Sequence, residues 1–397
     1  MIDISSLIKN DLHKVAPSLI RQINNRFGQI PDIVNLTIGE PDFQTPDHIK
    51  LAAVQSILNN RTHYAPNRGT KELLTAISNY LASRFGLDYD PDDQIVITNG
   101  ASEAISTVFN GIIGPGDAVL ISSPAFSLYH TLTLLNGGIP IEVDVSSTGF
   151  KLTPDVLDHY LTQYGDKIKM VVLNYPNNPT GVTYTPNEVR ELAAVLRNYQ
   201  VAILSDEVYS ELAYFDEHVS IATYLPEQPL LVNSVSKSYA MTGWRIGYLC
   251  GDRTVIKELA KVHQANVATV GTPNMDAATE AFLFGDQDIR RMKGVYDRKR
   301  DYLCKALEKI GYEFVSPRGA FYIYVQVPKT FQRTAMVYAE QLAQDALVAV
   351  VPGEAFENGH STYFRISYAT SMKNLQLAVQ RLAEYVKRQS EKEVLKP

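Results

Sequence analysis

The chain has 397 residues, 45% of them hydrophobic and 20% charged, with a formal net charge of −6. That length suits two domains of unequal size, and the composition suits a chain with a sizeable buried core. No basic block interrupts the acidic balance, which argues against nucleic acid or an anionic membrane as main partner but leaves room for a small anion at local Arg and Lys side chains.

The N-terminal stretch MIDISSLIKNDLHKVAPSLI is amphipathic and carries charges where a signal peptide needs a clean apolar run. No run of about 18 apolar residues long enough to span a membrane occurs. Further along, short β-branched runs alternate with helix-length segments. IVIT (Ile95 to Thr98) precedes a helix starting near Ser102; AVLIS (Ala118 to Ser122), IPIEVDV (Ile139 to Val145), MVVLN (Met170 to Asn174), VAILSD (Val201 to Asp206) and LLVNSV (Leu230 to Val235) follow. Runs apolar on both faces, joined by segments such as NEVRELAAVLRNY, predict an α/β fold with a mainly parallel sheet. Right-handed crossovers then stack helices on both faces of that sheet. After about Gly285 the texture changes to a charged helix (Asp288 to Lys309), two hairpin-like pieces, GAFYIYVQV and TYFRISYA, and a final amphipathic helix. We expect residues 46–285 to form a large domain and residues 286–397 a smaller α+β domain joined by residues 1–45, with RQSEKEVLKP as a solvated tail. Cys250 and Cys304 lie far apart without metal-ligand spacing, which points to a reducing cytoplasm rather than to a disulfide framework or zinc site.

In an open parallel sheet, ligands gather at the carboxyl ends of the strands, and four polar segments fall there. NGASEA (Asn99 to Ala104) offers small Gly100 and Ala101 for backbone approach to an anion, and Ser102 as a cap for the next helix. NYPNNPTG (Asn174 to Gly181) is turn chemistry that would also hold Asn178 rigidly. SDEVYSEL puts Asp206 at a strand end, where its carboxylate faces either solvent or a cationic partner such as a ring nitrogen, with Tyr209 near enough for a neighbouring oxygen. NSVSKSYAMTGWRIGY surrounds Lys237 with Ser234, Ser236 and Arg245, two hydroxyls and a guanidinium that suit a phosphate dianion. Neighbouring cations would lower the pKa of Lys237 and make its amine nucleophilic. The first two segments, taken singly, also read as plain turns, and the third as a helix start.

Taken in order, GEPDF, NGASEA, NPTG, SDEVY, SKSYAMTGWRIGY and FRISYA resemble the class I aminotransferases of the fold-type I pyridoxal-phosphate enzymes, over essentially the whole chain. The resemblance implies a pyridoxal 5'-phosphate cofactor held covalently by Lys237. It implies Asp206 on the pyridine nitrogen, Tyr209 and Asn178 on the ring's phenolic oxygen, and Gly100, Ala101, Ser102, Ser234, Ser236 and Arg245 around the phosphate. Phe126 falls where the family stacks an aromatic on the ring. Arg365 matches the arginine that forks onto the substrate α-carboxylate, and Gly39 and Asn178 fall beside it. Tyr64, in THYAPNRGTKEL, resembles a tyrosine given to the phosphate across a dimer interface, which implies a homodimer with shared active sites. Thr75 and Asp276 depart from the family's usual arginine and glutamine, outside the catalytic set.

The wording of LTIGEPDF, SDEVYSEL, SIATYL and AMTGWRIGY is similar to bacterial aromatic-amino-acid aminotransferases, a branch that includes N-acetyl-diaminopimelate aminotransferases. The expected reaction moves an amino group from an L-amino acid, aromatic by first choice, to a 2-oxo acid such as 2-oxoglutarate, by ping-pong kinetics. N-acetyl-diaminopimelate transamination and a same-fold C–S β-lyase are the alternatives. A ligand-sensing module or a nucleotide-binding protein would leave Lys237 and its neighbours unexplained, and no GxGxxG or GxxxxGK[ST] loop occurs. No further arginine is marked by sequence alone for a distal carboxylate.

Overall fold

The computed structural model describes residues 4–331 and 333–394. Residues 1–3, the start of the amphipathic N-terminal stretch, and 395–397, the end of the expected tail, lie outside the described residues. The final helix, Met372–Val394, runs on into that expected tail.

In chain order the strands are β1 (Val34–Asn35), β2 (Ile95–Thr98), β3 (Ala118–Ser123), β4 (Ile139–Asp144), β5 (Ile168–Asn174), β6 (Ala202–Asp206), β7 (Pro229–Ser234), β8 (Gly247–Cys250), β9 (Phe314–Val315), β10 (Tyr322–Gln326), β11 (Val348–Ala349), β12 (Val351–Pro352) and β13 (Tyr363–Ser367). A seven-stranded sheet has the order β2-β8-β7-β6-β5-β3-β4. Within it β4, β3, β5, β6 and β7 pair parallel, while β8 runs antiparallel between β7 and β2. The fold is therefore α/β with a mainly parallel sheet, as the alternating pattern predicts. The reversed strand has a consequence for placement. Gly247, where β8 begins, lies opposite both Ser234 and Thr98, where β7 and β2 end. Arg245, two residues earlier, is thus delivered to the same edge as the strand ends.

Both faces of the sheet are buried because successive side chains alternate. Met170 and Val172 of β5 join the helices Ala101–Ile112 and Arg253–Val267 in one core, whereas Val171 and Leu173 face the helices Pro154–Tyr164 and Pro186–Leu196 in another. Each fully buried Leu, Ile or Val contributes roughly 1.5–3 kcal/mol. Helix Pro186–Leu196 starts where its sequence says it should. Pro186 stands at its first turn, and Thr185 and Glu188 form a reciprocal capping box.

Helices Asp47–Leu58, Lys71–Phe85 and Thr272–Phe284 pack in a third cluster. The C-terminal elements share a further core with the N-terminal segment, to which Val208, Tyr209 and Leu212 also contribute. The long helix Asp286–Ile310 ends at Gly311, whose φ of 96° favours glycine. Its Leu303 and Leu307 meet Leu342, Leu375 and Leu382, and the N-terminal Ile23, Phe27, Val34 and Leu36 complete the same cluster. β1 pairs parallel with β11, tying the N-terminal segment to this part of the molecule. One expectation is corrected here. GAFYIYVQV and TYFRISYA are not hairpins; each supplies a single strand, β10 and β13, which pair antiparallel with each other in the four-stranded order β12-β13-β10-β9. Their turn residues mark strand ends, not local reversals. Among the described residues no helix is long and apolar enough to cross a membrane.

Candidate active site

The carboxyl-end edge of the large sheet opens into a cavity of about 500 Å³, a size suited to a small-molecule ligand. Ala101, Ser102, Phe126, Asn178, Asp206, Tyr209, Ser234, Ser236, Lys237, Arg245, Gly39 and Arg365 all line it. Two of the expected residues do not. Gly100 lies directly behind the Arg245 guanidinium, where a Cβ would collide with it, and its φ of 76° also favours glycine. Tyr64 is 91% exposed and outside the cavity of this single chain.

The β2 edge presents a bare helix end. Helix Ala101–Ile112 begins after Gly100 with no side-chain cap, so Ser102 is not the cap that the sequence suggests. It lies inside the first turn, and the backbone N–H of Asn99 is satisfied by the Glu103 carboxylate instead. The first N–H groups of the helix, which have no intrahelical acceptor, are left for an anion. Ser234 accepts from the backbone N–H of Ser236 at 3.3 Å. Arg245, held in a left-handed backbone conformation (φ 57°), donates to the Thr242 carbonyl at 2.9 Å and contacts the Asn99 carbonyl at 3.4 Å. No carboxylate pairs with Arg245 among the described residues, so its charge is available to a phosphate.

Asp206, the last residue of β6, is buried and receives the phenol of Tyr129 at 2.6 Å and the backbone N–H of Val208 at 3.3 Å. Burial pushes its pKa up to about 6, against the Tyr129 and Val208 hydrogen bonds that pull it down. A carboxylate in this position gains from a cationic partner within the cavity. Lys237 donates to the Gly39 carbonyl at 2.7 Å. Its pKa is lowered to about 8, first by burial and then by Arg365 and Arg245, with Glu40 and Asp206 opposing. Burial thus outweighs the neighbouring cations to which sequence reasoning assigned the shift. The amine is also flanked by the Tyr209 and Phe321 rings, each 5.9 Å away.

The opposite wall comes from β13, β10 and the N-terminal segment. Arg365 is 1% exposed; it donates to Asn178 Oδ1 at 2.7 Å and to the Thr37 carbonyl at 2.6 Å, and its Nε has no partner. The guanidinium lies 4.3 Å from the Tyr322 ring centroid. With burial lowering its pKa and no carboxylate beside it among the described residues, a substrate carboxylate would complete its pairing. Tyr322 also bonds the Tyr209 hydroxyl at 2.8 Å and leaves no space for a side chain at Gly39.

Tyr129 and Tyr322 escaped sequence reasoning, although both had a faint signal. Tyr129 stands three residues after Phe126 in SSPAFSLYH, and Tyr322 lies in GAFYIY, read only as a strand. Arg21, Asn24, Thr37 and Glu40 also line the cavity; Glu40 belongs to GEPDF, whereas Arg21 and Asn24 come from a helix that no motif marks.

An anion-ready helix end, a nucleophilic lysine, a buried carboxylate and an unpaired arginine in one cavity fit pyridoxal phosphate and an amino acid. Residues 31–382 match the family Aminotransferase class I and II. The chain belongs to this family: it is a pyridoxal-phosphate-dependent aminotransferase, a transferase of nitrogenous groups. It is 41% identical to a probable N-acetyl-LL-diaminopimelate aminotransferase of Bacillus subtilis, over 97% of each chain. It is 35% identical to aromatic-amino-acid aminotransferase 2 of Thermococcus litoralis, over 96% of this chain and 98% of that one. Among solved structures, aspartate aminotransferase from Thermus thermophilus with maleate superposes with a TM-score of 0.90 at 34% identity, covering 95% of this chain and 99% of that one.

Proposed function

We propose that the enzyme moves the amino group of an L-amino acid, an aromatic one first, to 2-oxoglutarate by a ping-pong mechanism. The observation that carries this reading is the pairing of Lys237 with buried Arg365 across a single cavity that also presents Phe126, Ile20, Ile38 and Tyr322 to a side chain. The aromatic relative supports the donor, and the Thermus structure with maleate, a dicarboxylate, supports a dicarboxylic acceptor. The 41% identical relative supports N-acetyl-diaminopimelate transamination as a second reading.

In this reading the helix end at Ala101 and Ser102, with Ser234, Ser236 and Arg245, holds the cofactor phosphate, and Gly100 leaves room for Arg245 to approach. Asp206 would offer its carboxylate to the ring nitrogen, Asn178 and Tyr209 would serve the ring's phenolic oxygen, and Phe126 would supply an aromatic face to the ring. Lys237 would hold the cofactor covalently, and its amine, when free, would take the proton from the substrate Cα. When bound, pyridoxal phosphate supplies the electron sink for the charge left on that carbon. Arg365, beside Gly39 and Asn178, fixes the α-carboxylate so that the Cα–H bond faces Lys237.

Residues 46–285 would form the cofactor-binding domain, and residues 286–397 with 1–45 the smaller one. The exposed phenol of Tyr64 would serve the phosphate of a second copy, giving a cytoplasmic homodimer with shared sites. The test is the absorption spectrum of the purified, cofactor-loaded enzyme. Its long-wavelength band should shift with L-phenylalanine, return with 2-oxoglutarate and be missing in Lys237→Ala. A band that ignores phenylalanine but responds to N-acetyl-diaminopimelate would replace the proposed substrate.

A further inference from the structure

We infer that Arg21, with Asn24 three residues on, forms the subsite that takes the distal carboxylate of a dicarboxylic substrate. This deepens the reading above, from which it takes the position of the α-carboxylate at Arg365. Helix Leu19–Phe27 is fixed by Ile23 and Phe27, both buried in the core, while Ile20, Arg21 and Asn24 line the cavity. Residues three apart on a helix are surface neighbours, so the two polar side chains share one approach.

Four cationic side chains line the cavity: Arg21, Lys237, Arg245 and Arg365. Lys237 donates to Gly39, Arg245 to Thr242, and Arg365 to Asn178 and Thr37. Arg21 alone has no hydrogen-bond or ion-pair partner among the described residues, and it is exposed, so its guanidinium is free to pair with a carboxylate. Asn24 is oriented for the same purpose. Its Oδ1 accepts from Asn35 Nδ2 at 2.9 Å and from Thr37 Oγ1 at 2.8 Å, which leaves its amide hydrogens as what it can offer. The Thr37 carbonyl in turn accepts from Arg365. Thr37 therefore touches both Asn24 and the α-carboxylate arginine, which ties the proposed distal subsite to Arg365.

The acids of the cavity sit with other partners. Glu40 receives the Thr242 hydroxyl at 3.0 Å, and Asp206 receives Tyr129. An aromatic substrate, with no second carboxylate, would leave Arg21 in solvent, so one cavity could serve both half-reactions.

Arg21→Gln holoenzyme tests the assignment, and exposure of Arg21 means the fold should survive. The KM for 2-oxoglutarate should rise about tenfold, the worth of one charge-assisted pair in a wet site. The KM for phenylpyruvate and both kcat values should stay within about twofold, and Arg21→Lys should recover part of the loss. Competition by glutarate, a non-reacting five-carbon diacid, should weaken in parallel, while competition by 3-phenylpropionate should not. Equal glutarate competition in wild type and Arg21→Gln, or an equal rise in KM for both acceptors, would overturn the subsite. A wild-type enzyme that transaminates no diacid would overturn the acceptor named above instead, and glutarate competition would still decide Arg21.

Discussion

The two walls of the cavity are built in different ways. Along the large-sheet edge, several polar groups have a partner close in sequence, Ser234 with Ser236, Asp206 with Val208 and Arg245 with Thr242, although Asp206 also receives Tyr129 and Lys237 reaches Gly39. On the facing wall, Arg365 is held by Asn178 and Thr37, 187 and 328 positions away. The first wall follows once the sheet forms, because strand ends and the reversed β8 converge on one edge. The second exists only after the N-terminal segment and β13 have packed into a common core. The sheet edge should therefore govern cofactor retention and the facing wall substrate recognition, two effects that mutation can separate.

The largest effect belongs to the sheet edge. Lys237→Ala should reduce turnover by about 10⁴-fold or more, since it removes both covalent attachment and the general base. The cofactor's absorption should be lost on desalting while the far-ultraviolet circular dichroism stays unchanged. Retained turnover within tenfold of wild type would break the assignment. Next comes the facing wall. Arg365→Gln should raise KM for amino acid and 2-oxo acid alike by about a hundredfold, the scale of about 3 kcal/mol for a buried charge-assisted pair. Cofactor absorption should persist. If the variant instead loses its cofactor as Lys237→Ala does, the two walls are not separable.

The same contrast explains what was legible in the sequence. The strands β2 to β7 and the segments at their ends could be read because each is a local pattern whose position in a parallel sheet fixes its direction. Strand β8 was missed because GYLC is short and its antiparallel pairing is a tertiary choice. GAFYIYVQV and TYFRISYA were read as hairpins because pairing between β10 and β13 leaves no local mark. Arg365 was found only through the resemblance carried by FRISYA, since nothing local distinguishes it from a surface arginine. Tyr129, Tyr322 and Arg21 reach the cavity by packing alone, and no spacing rule points to them.

Smaller effects sharpen the picture of the sheet edge. The folded-state pKa of Asp206, about 6, lies above its ordinary 3.8. The folded chain therefore binds the extra proton between those values, and the stability gained at low pH is lost as pH rises through about 6. In the cofactor-free protein, Asp206→Asn should raise the melting temperature by a few degrees at pH 7.5, with the gain fading towards pH 4. A gain that is equal at both pH values would show that the carboxylate's charge is not its cause. The loaded variant should turn over more slowly, because an amide does not favour a protonated ring nitrogen.

Tyr129 offers the finest test, since it touches Asp206 without being assigned any contact to the cofactor. Its phenol, 2.6 Å from Asp206 Oδ2, favours the ionised carboxylate against the burial that disfavours it. Tyr129→Phe keeps the ring and deletes that donor, so the Asp206 pKa should climb further. A hydrogen bond to a charged group is worth about 1.5–3 kcal/mol, and part of that loss should be recovered by water or by the ring nitrogen. Turnover near neutrality should thus fall by about three- to tenfold, with the acid limb of the kcat/KM profile displaced to higher pH. In an Asp206→Asn background the same substitution should move nothing with pH, because no carboxylate remains for it to tune. An acid limb unchanged by Tyr129→Phe would mean that Tyr129 only fills space beside Phe126, and that burial alone sets the charge of Asp206.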